Sequence, residues 1–126
     1  MIKEVKLVIW GRKLTLPVIF DCYTGENITK EQKNALKQFI IHPEWVANSK
    51  TYVEDFCKEA LMDDEENEKK DNIFSYVKPE SIFVKRKGLS PNIVLLCKYR
   101  YDIEHGLAVA YDSEGVIKVG IQDSIM

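Results

Sequence analysis

The chain has 126 residues, 45% of them hydrophobic and 30% charged, with 18 basic side chains against 20 acidic ones and a formal net charge of −2. That length suits one domain over residues 1–126 built round a single core, and the near-neutral balance gives no global field that would favour nucleic acid or an anionic membrane. The longest purely apolar runs, IVLLC and LAVAY, are five residues, far short of a membrane span.

The opening MIKEVKLVIW is already strand-like and has no basic n-region followed by a long apolar h-region, so no signal peptide is expected. Cys22, Cys57 and Cys97 are odd in number and widely spaced, a pattern of reduced thiols and not of a disulfide or zinc framework. The expected location is the cytoplasm.

Residues 4–10 alternate, with Val5, Leu7 and Ile9 on one side, until GRK breaks the run. Residues 14–22 alternate again through Leu14, Leu16, Val18, Phe20 and Cys22. Two such runs across a short glycine-containing break predict a hairpin. Pro17 cannot donate to a ladder, which places it at a sheet edge or a bulge. Within the break, Trp10-Gly11-Arg12 spells the name of a nucleic-acid-associated domain, but the glycine-rich continuation of such domains is missing and a chance match is the simpler reading.

The period then changes to helical. In NITKEQKNALKQFIIHP, Thr29 is the expected N-cap with Gln32 at the capping-box spacing. Gln32, Leu36, Phe39 and Ile40 form the stripe, and Pro43 limits the helix to about His42. A second helix is expected over roughly 50–66, with Val53, Phe56, Cys57, Ala60 and Leu61 along one side. It runs out into an acidic stretch. Residues 54–71 hold nine acids and three bases, a local net charge of −6, which leaves +4 for the rest of the chain. A solvated helix end explains this charge run; the functional reading is an acidic face, centred on Asp63, Asp64, Glu65 and Glu66, that meets a basic partner.

From about residue 73 the pattern returns to strands. Runs at 81–87 and 93–101 flank the turn GLSPN, and 107–112 and 116–120 follow across DSEG. Three bases in Lys85–Gly88 fall at a hairpin end, where charge discourages edge pairing. With the helices together in the middle, the order predicts an α+β fold, not alternating βαβ units. Its sheet is expected to be mostly antiparallel, of about five to six strands, with both helices packed on one face.

The stretch YDIEHGLAVAYDSEGVIKVGIQD holds the chain's densest chemistry. Asp102, Glu104 and His105 could supply three metal ligands from one turn, with Asp123 as a fourth, although zinc sites usually draw on several His or Cys and the chain has two histidines. The turn reading requires less. Asp102 accepts backbone N–H groups two residues on, Gly106 takes positive φ where the hairpin reverses, and Glu104 and His105 point to water as candidate contact residues. No glycine-rich phosphate loop, nucleophile elbow or paired-cysteine motif is present in the sequence, and no cofactor is expected.

YDIEHGLAVAY followed by VIKVGIQDSIM resembles the C-terminal signature of a bacterial family of short proteins of unknown function, with the pattern D-x-E-[HN]-G-L-A-V-x-F and then V-G-x-Q-D. Tyr111 stands where that pattern has Phe. NITKEQKNALKQF and YVKPESIFV resemble it as well, so the likeness covers most of the chain. The resemblance implies an α+β fold and brings no activity with it. Some short bacterial proteins of this kind look like immunity proteins that bind toxins. The expectation is therefore a non-enzymatic protein-binding module, an immunity-type inhibitor of a basic protein such as a toxin. A small metal-binding protein or metal-dependent enzyme using the 102–105 turn is the alternative.

Overall fold

The computed structural model describes residues 4–21, 27–60, 73–85, 93–100, 102–112, 115 and 117–122. Strands β1 (Glu4–Ile9) and β2 (Arg12–Phe20) are followed by helices α1 (Lys30–Ile41) and α2 (Pro43–Ala60). A 3₁₀ turn at Ile73–Ser75 leads to β3 (Val77–Val84), β4 (Ile93–Tyr99), β5 (Leu107–Tyr111) and β6 (Ile117–Ile121). The six strands form one sheet in sequence order, β1-β2-β3-β4-β5-β6. The fold is α+β and the sheet mostly antiparallel, as the element order predicts.

One pairing differs from a simple meander. β2 and β3 run parallel, with Val18, Ile19 and Phe20 opposite Ile82, Phe83 and Val84. The two helices form the crossover that a parallel pair requires, so the chain contains one β-α-α-β unit that a strands-helices-strands reading does not reveal. Pro17 is not at an edge of the sheet. It is opposite Glu4 at the last β1–β2 pair, where β2 changes partner from β1 to β3, so its missing N–H falls at the hand-over between ladders.

The β1–β2 reversal occurs at Trp10-Gly11, and Arg12 and Lys13 already belong to β2. Trp10 and Gly11 have φ of +51° and +88°, the two positive values that a tight two-residue hairpin turn of matching twist requires. A tryptophan in that region is strained. Its indole is buried, 5.9 Å from the Phe74 ring, and the Arg12 guanidinium lies 4.2 Å from the centre of the same Phe74 ring.

Both arms of the capping box at Thr29 and Gln32 are formed. Gln32 is also buried, and its amide donates 2.8 Å to the Asp21 carbonyl and 3.4 Å to that of Val84. The cap thus fixes the start of α1 to the ends of β2 and β3. Leu36 and Phe39 point into the core, whereas Ile40, expected in the same stripe, is 40% exposed. α2 starts seven residues earlier than expected, at Pro43 instead of about 50. The proline that stops α1 is the first residue of α2, a position where its absent N–H costs nothing. His42 links the two helices: its ring stacks on Trp45 at 4.6 Å, and its carbonyl accepts from the Trp45 N–H at 3.0 Å.

β3 also begins earlier than expected, at Val77 instead of 81, and the register shifts between Pro79 and Ser81. The irregularity accommodates a proline in mid-strand. α1 packs on β3 and β4, while α2 touches β1, β5 and β6. The first and last strands of the sheet therefore meet the same helix, and the sheet curls round α2. Leu36, Phe39, Val46, Val53 and Cys57 from the helices close the core against Ile82, Leu95, Cys97, Leu107, Val109 and Tyr111. On the other face of β4 and β5, Val94, Ala108 and Ala110 form a smaller cluster with Phe83 and Leu96.

Ser49 places a polar group within this core. The fully buried Ser49 hydroxyl accepts from Trp10 Nε1 at 3.0 Å and from the Tyr111 hydroxyl at 2.9 Å, and donates to the Val46 carbonyl at 2.6 Å. Ser49→Ala strands two buried donors and should cost about 2–4 kcal/mol, whereas Tyr111→Phe removes one bond and should cost about 1 kcal/mol. Urea unfolding of the two variants checks the order. Equal losses would show that Ser49 does not hold the three elements together.

Candidate functional site

The densest chemistry falls at the turn between β4 and β5, beside a groove of about 660 Å³. Lys78 and Glu80 from the start of β3 line it, with Lys98 from the end of β4, Arg100 just after it, Ile103 to Gly106 from the turn, and Gln122 after β6. Backbone bonds define the turn: the Asp102 N–H donates to the Tyr99 carbonyl at 3.2 Å, and the Gly106 N–H to the Asp102 carbonyl at 2.8 Å. Asp102 Oδ1 then accepts from the His105 backbone N–H at 3.3 Å and meets His105 Nδ1 at 2.8 Å. A carboxylate oxygen only accepts, so Nδ1 carries the ring proton in this contact.

Gly106 has a φ of +63°, a region costly for any residue with a Cβ. A Cβ there would lie 2.6 Å from Gln122 Nε2 and 3.0 Å from the Cys97 carbonyl oxygen. Gln122 uses the space, donating from Nε2 to that carbonyl at 3.2 Å. The end of β6 is thereby clasped to β4 beneath the turn. Sequence reasoning identified Asp102 and Gly106 as turn formers but assigned no role to Gln122, Lys78, Lys98 or Arg100. Only the fold brings these together.

The charges of the groove are mixed. Lys98 Nζ is 3.6 Å from Glu80 Oε2 with both side chains largely in water, a pair of little energetic weight. Glu104 is exposed, as expected, and Ile103 is 86% exposed at the tip of the turn. Cys97 lies behind the groove, fully buried, and burial first, then the nearby Glu80, pushes its thiol far above the ordinary range. It is held as a neutral thiol, the opposite of what a nucleophilic cysteine needs.

Among the described residues no group of three or more His, Cys, Asp or Glu side chains is placed to hold a metal ion. Asp102 and His105 are brought together. Asp123, the fourth ligand of the metal reading, lies outside the described residues, as do Asp63, Asp64, Glu65 and Glu66 of the acidic run and the 86–88 part of the basic hairpin end. No helix among the described residues is long and apolar enough to cross a membrane.

A family model described as "Domain of unknown function (DUF6985)" matches residues 2–126, and the chain belongs to that family. No curated protein and no solved structure matches it.

Gly106→Ala should cost about 2–3 kcal/mol, from strain at positive φ and displacement of the Gln122 amide. His105→Ala should cost no more than about 1 kcal/mol, the worth of one exposed charged contact. In a Gln122→Ala background the Gly106→Ala loss should shrink by about 1 kcal/mol, because the displaced group is gone. A double-mutant cycle from denaturant melts measures this. Strictly additive losses would mean that Gly106 and Gln122 do not act as one clasp.

Proposed function

We propose that the protein is a non-enzymatic protein-binding module that uses the β4–β5 turn as a contact point. An immunity-type inhibitor of a basic protein such as a toxin is the form that best suits its charge. A bacterial source and a cytoplasmic location belong to the same proposal. The observation that carries it is Ile103, 86% exposed on a turn whose backbone and Asp102 side chain are tied down. A large apolar side chain on a rigid support can fill a pocket of a partner without the entropic cost of ordering a loop. Asp102 and Glu104 flank it in sequence and give the tip an acidic rim, and the 54–71 stretch adds a local charge of −6. Both favour a basic partner, whose approach such charges would accelerate.

The test is affinity capture from cells of the native source with three full-length baits: wild type, Ile103→Asp, and a bait with Asp63, Asp64, Glu65 and Glu66 reversed to lysine. A basic protein should be retained in stoichiometric amount by the wild type. Its affinity should fall at least about tenfold for Ile103→Asp, as for loss of a buried anchor of about 1.4 kcal/mol or more. The charge-reversed bait should capture it more slowly at low salt, with the difference closing as salt rises. Equal retention by wild type and Ile103→Asp would remove the turn as the contact.

A further inference from the structure

A second concavity shares no lining residue with the β4–β5 groove. It measures about 420 Å³ and is lined by Phe20 from the end of β2, by Ile28, and by Lys33, Leu36, Lys37, Ile40 and Ile41 of α1. Five of these seven side chains are apolar, and Ile40 and Ile41 remain 40% and 55% exposed. The other two are lysines one helical turn apart, so both ammonium groups rise from the same side of α1. Among the described residues neither Lys33 nor Lys37 has an ion-pair partner, in a chain whose acids outnumber its bases by 20 to 18. An apolar slot with two unpaired cations on one rim has a definite complement, an alkyl chain that ends in an anion. Its volume falls in the range of small-molecule sites, roughly 300–1,000 Å³.

We propose that this slot binds a medium-chain fatty carboxylate. The chain lies against Phe20, Ile28, Leu36 and Ile40, and the carboxylate is held by Lys33 and Lys37. The slot is walled by the flank of a helix and the end of a strand, which makes it concave. That shape favours a single chain over the flat face of a membrane, and its apolar floor favours a lipid acid over a phosphate or a sugar acid, which would leave the floor wet. Lysine suits this task. Its ammonium is a point charge on a flexible stem that can follow a carboxylate, without the fixed fork that selects planar bidentate groups.

The test uses the full chain and three ligands, decanoate and decyltrimethylammonium below their micellar concentrations and decanol below its solubility limit, followed by calorimetry and by amide shifts in NMR. Decanoate should bind saturably, with the shifts concentrated on residues 28–41, and more tightly than either of the others. Across a series from hexanoate to decanoate the affinity should rise about two- to fourfold for each added methylene, as chain burial requires. Lys33→Glu with Lys37→Glu should weaken decanoate about tenfold, the equivalent of two exposed ion pairs, and should leave decanol unchanged. Thermal melts establish that this double variant is folded, which its exposed positions make the expected result. No saturable binding of decanoate overturns the proposal. So do equal affinities for the anionic and cationic ligands, shifts centred away from α1, or an acidic amphipathic peptide that occupies the slot while decanoate does not.

Discussion

The buried Ser49 hydroxyl is the constraint on which the rest of the packing depends. An oxygen with two lone pairs and one hydrogen can make three bonds, and here all three are formed, to Trp10, Tyr111 and the Val46 carbonyl. Those partners come from the β1–β2 turn, from β5 and from α2 itself. Each donor would cost about 1–3 kcal/mol if buried without an acceptor, so the three elements are fixed in relative position to within hydrogen-bonding tolerance. With β6 also packed on α2, this requires the sheet to curl round the helix. The Trp10 turn fits the same constraint. Positive φ at a bulky residue costs about 1–3 kcal/mol, and burying an indole that also donates to Ser49 offsets a cost of that size.

Gln32 plays the matching part at α1. As a capping residue it satisfies the Thr29 N–H, and with its amide it reaches the carbonyls at the ends of β2 and β3. A side chain chosen for helix initiation thus also closes the parallel β2–β3 pair, the one pairing in the sheet that a hairpin cannot supply. Both helices are therefore fixed by polar contacts within an apolar interface. Hydrophobic burial drives the layers together but is indifferent to small slides, whereas the bonds of Ser49 and Gln32 select one register.

What the sequence reveals follows from how local each signal is. The Thr29–Gln32 cap, the β1–β2 hairpin, the alternation in β4 and β5, and Asp102 with Gly106 as turn formers depend on neighbours within a few residues and can be read directly. Pro43 is ambiguous because one residue both ends α1 and begins α2, and periodicity records only the ending. Pro79 hides the first half of β3, since the bulge that rescues it depends on β4. The parallel pair, the Ser49 centre and the Gly106–Gln122 clasp depend on partners brought together by the chain's path. Ile40 shows the converse limit: helical spacing places it near the core stripe, but only the fold decides that it faces the α1 slot.

These distinctions bear on the Asp102–His105 pair. An aspartate that orients a histidine is familiar as half of a catalytic relay, and the 2.8 Å contact alone would suit that role. The surrounding geometry gives it a mechanical one. The same Asp102 oxygen accepts the His105 backbone N–H, and the Asp102 carbonyl accepts that of Gly106, so the aspartate closes the turn with its main chain and its side chain at once. Gly106 and Gln122 then fasten the turn to β6 and β4 from below. A turn braced at that many points presents Ile103 in one position. Cys97, which lines the groove beside the turn, is buried and held neutral. Asp102 and Gln122 make bonds that brace the turn, and the side chain exposed at its tip, Ile103, is apolar.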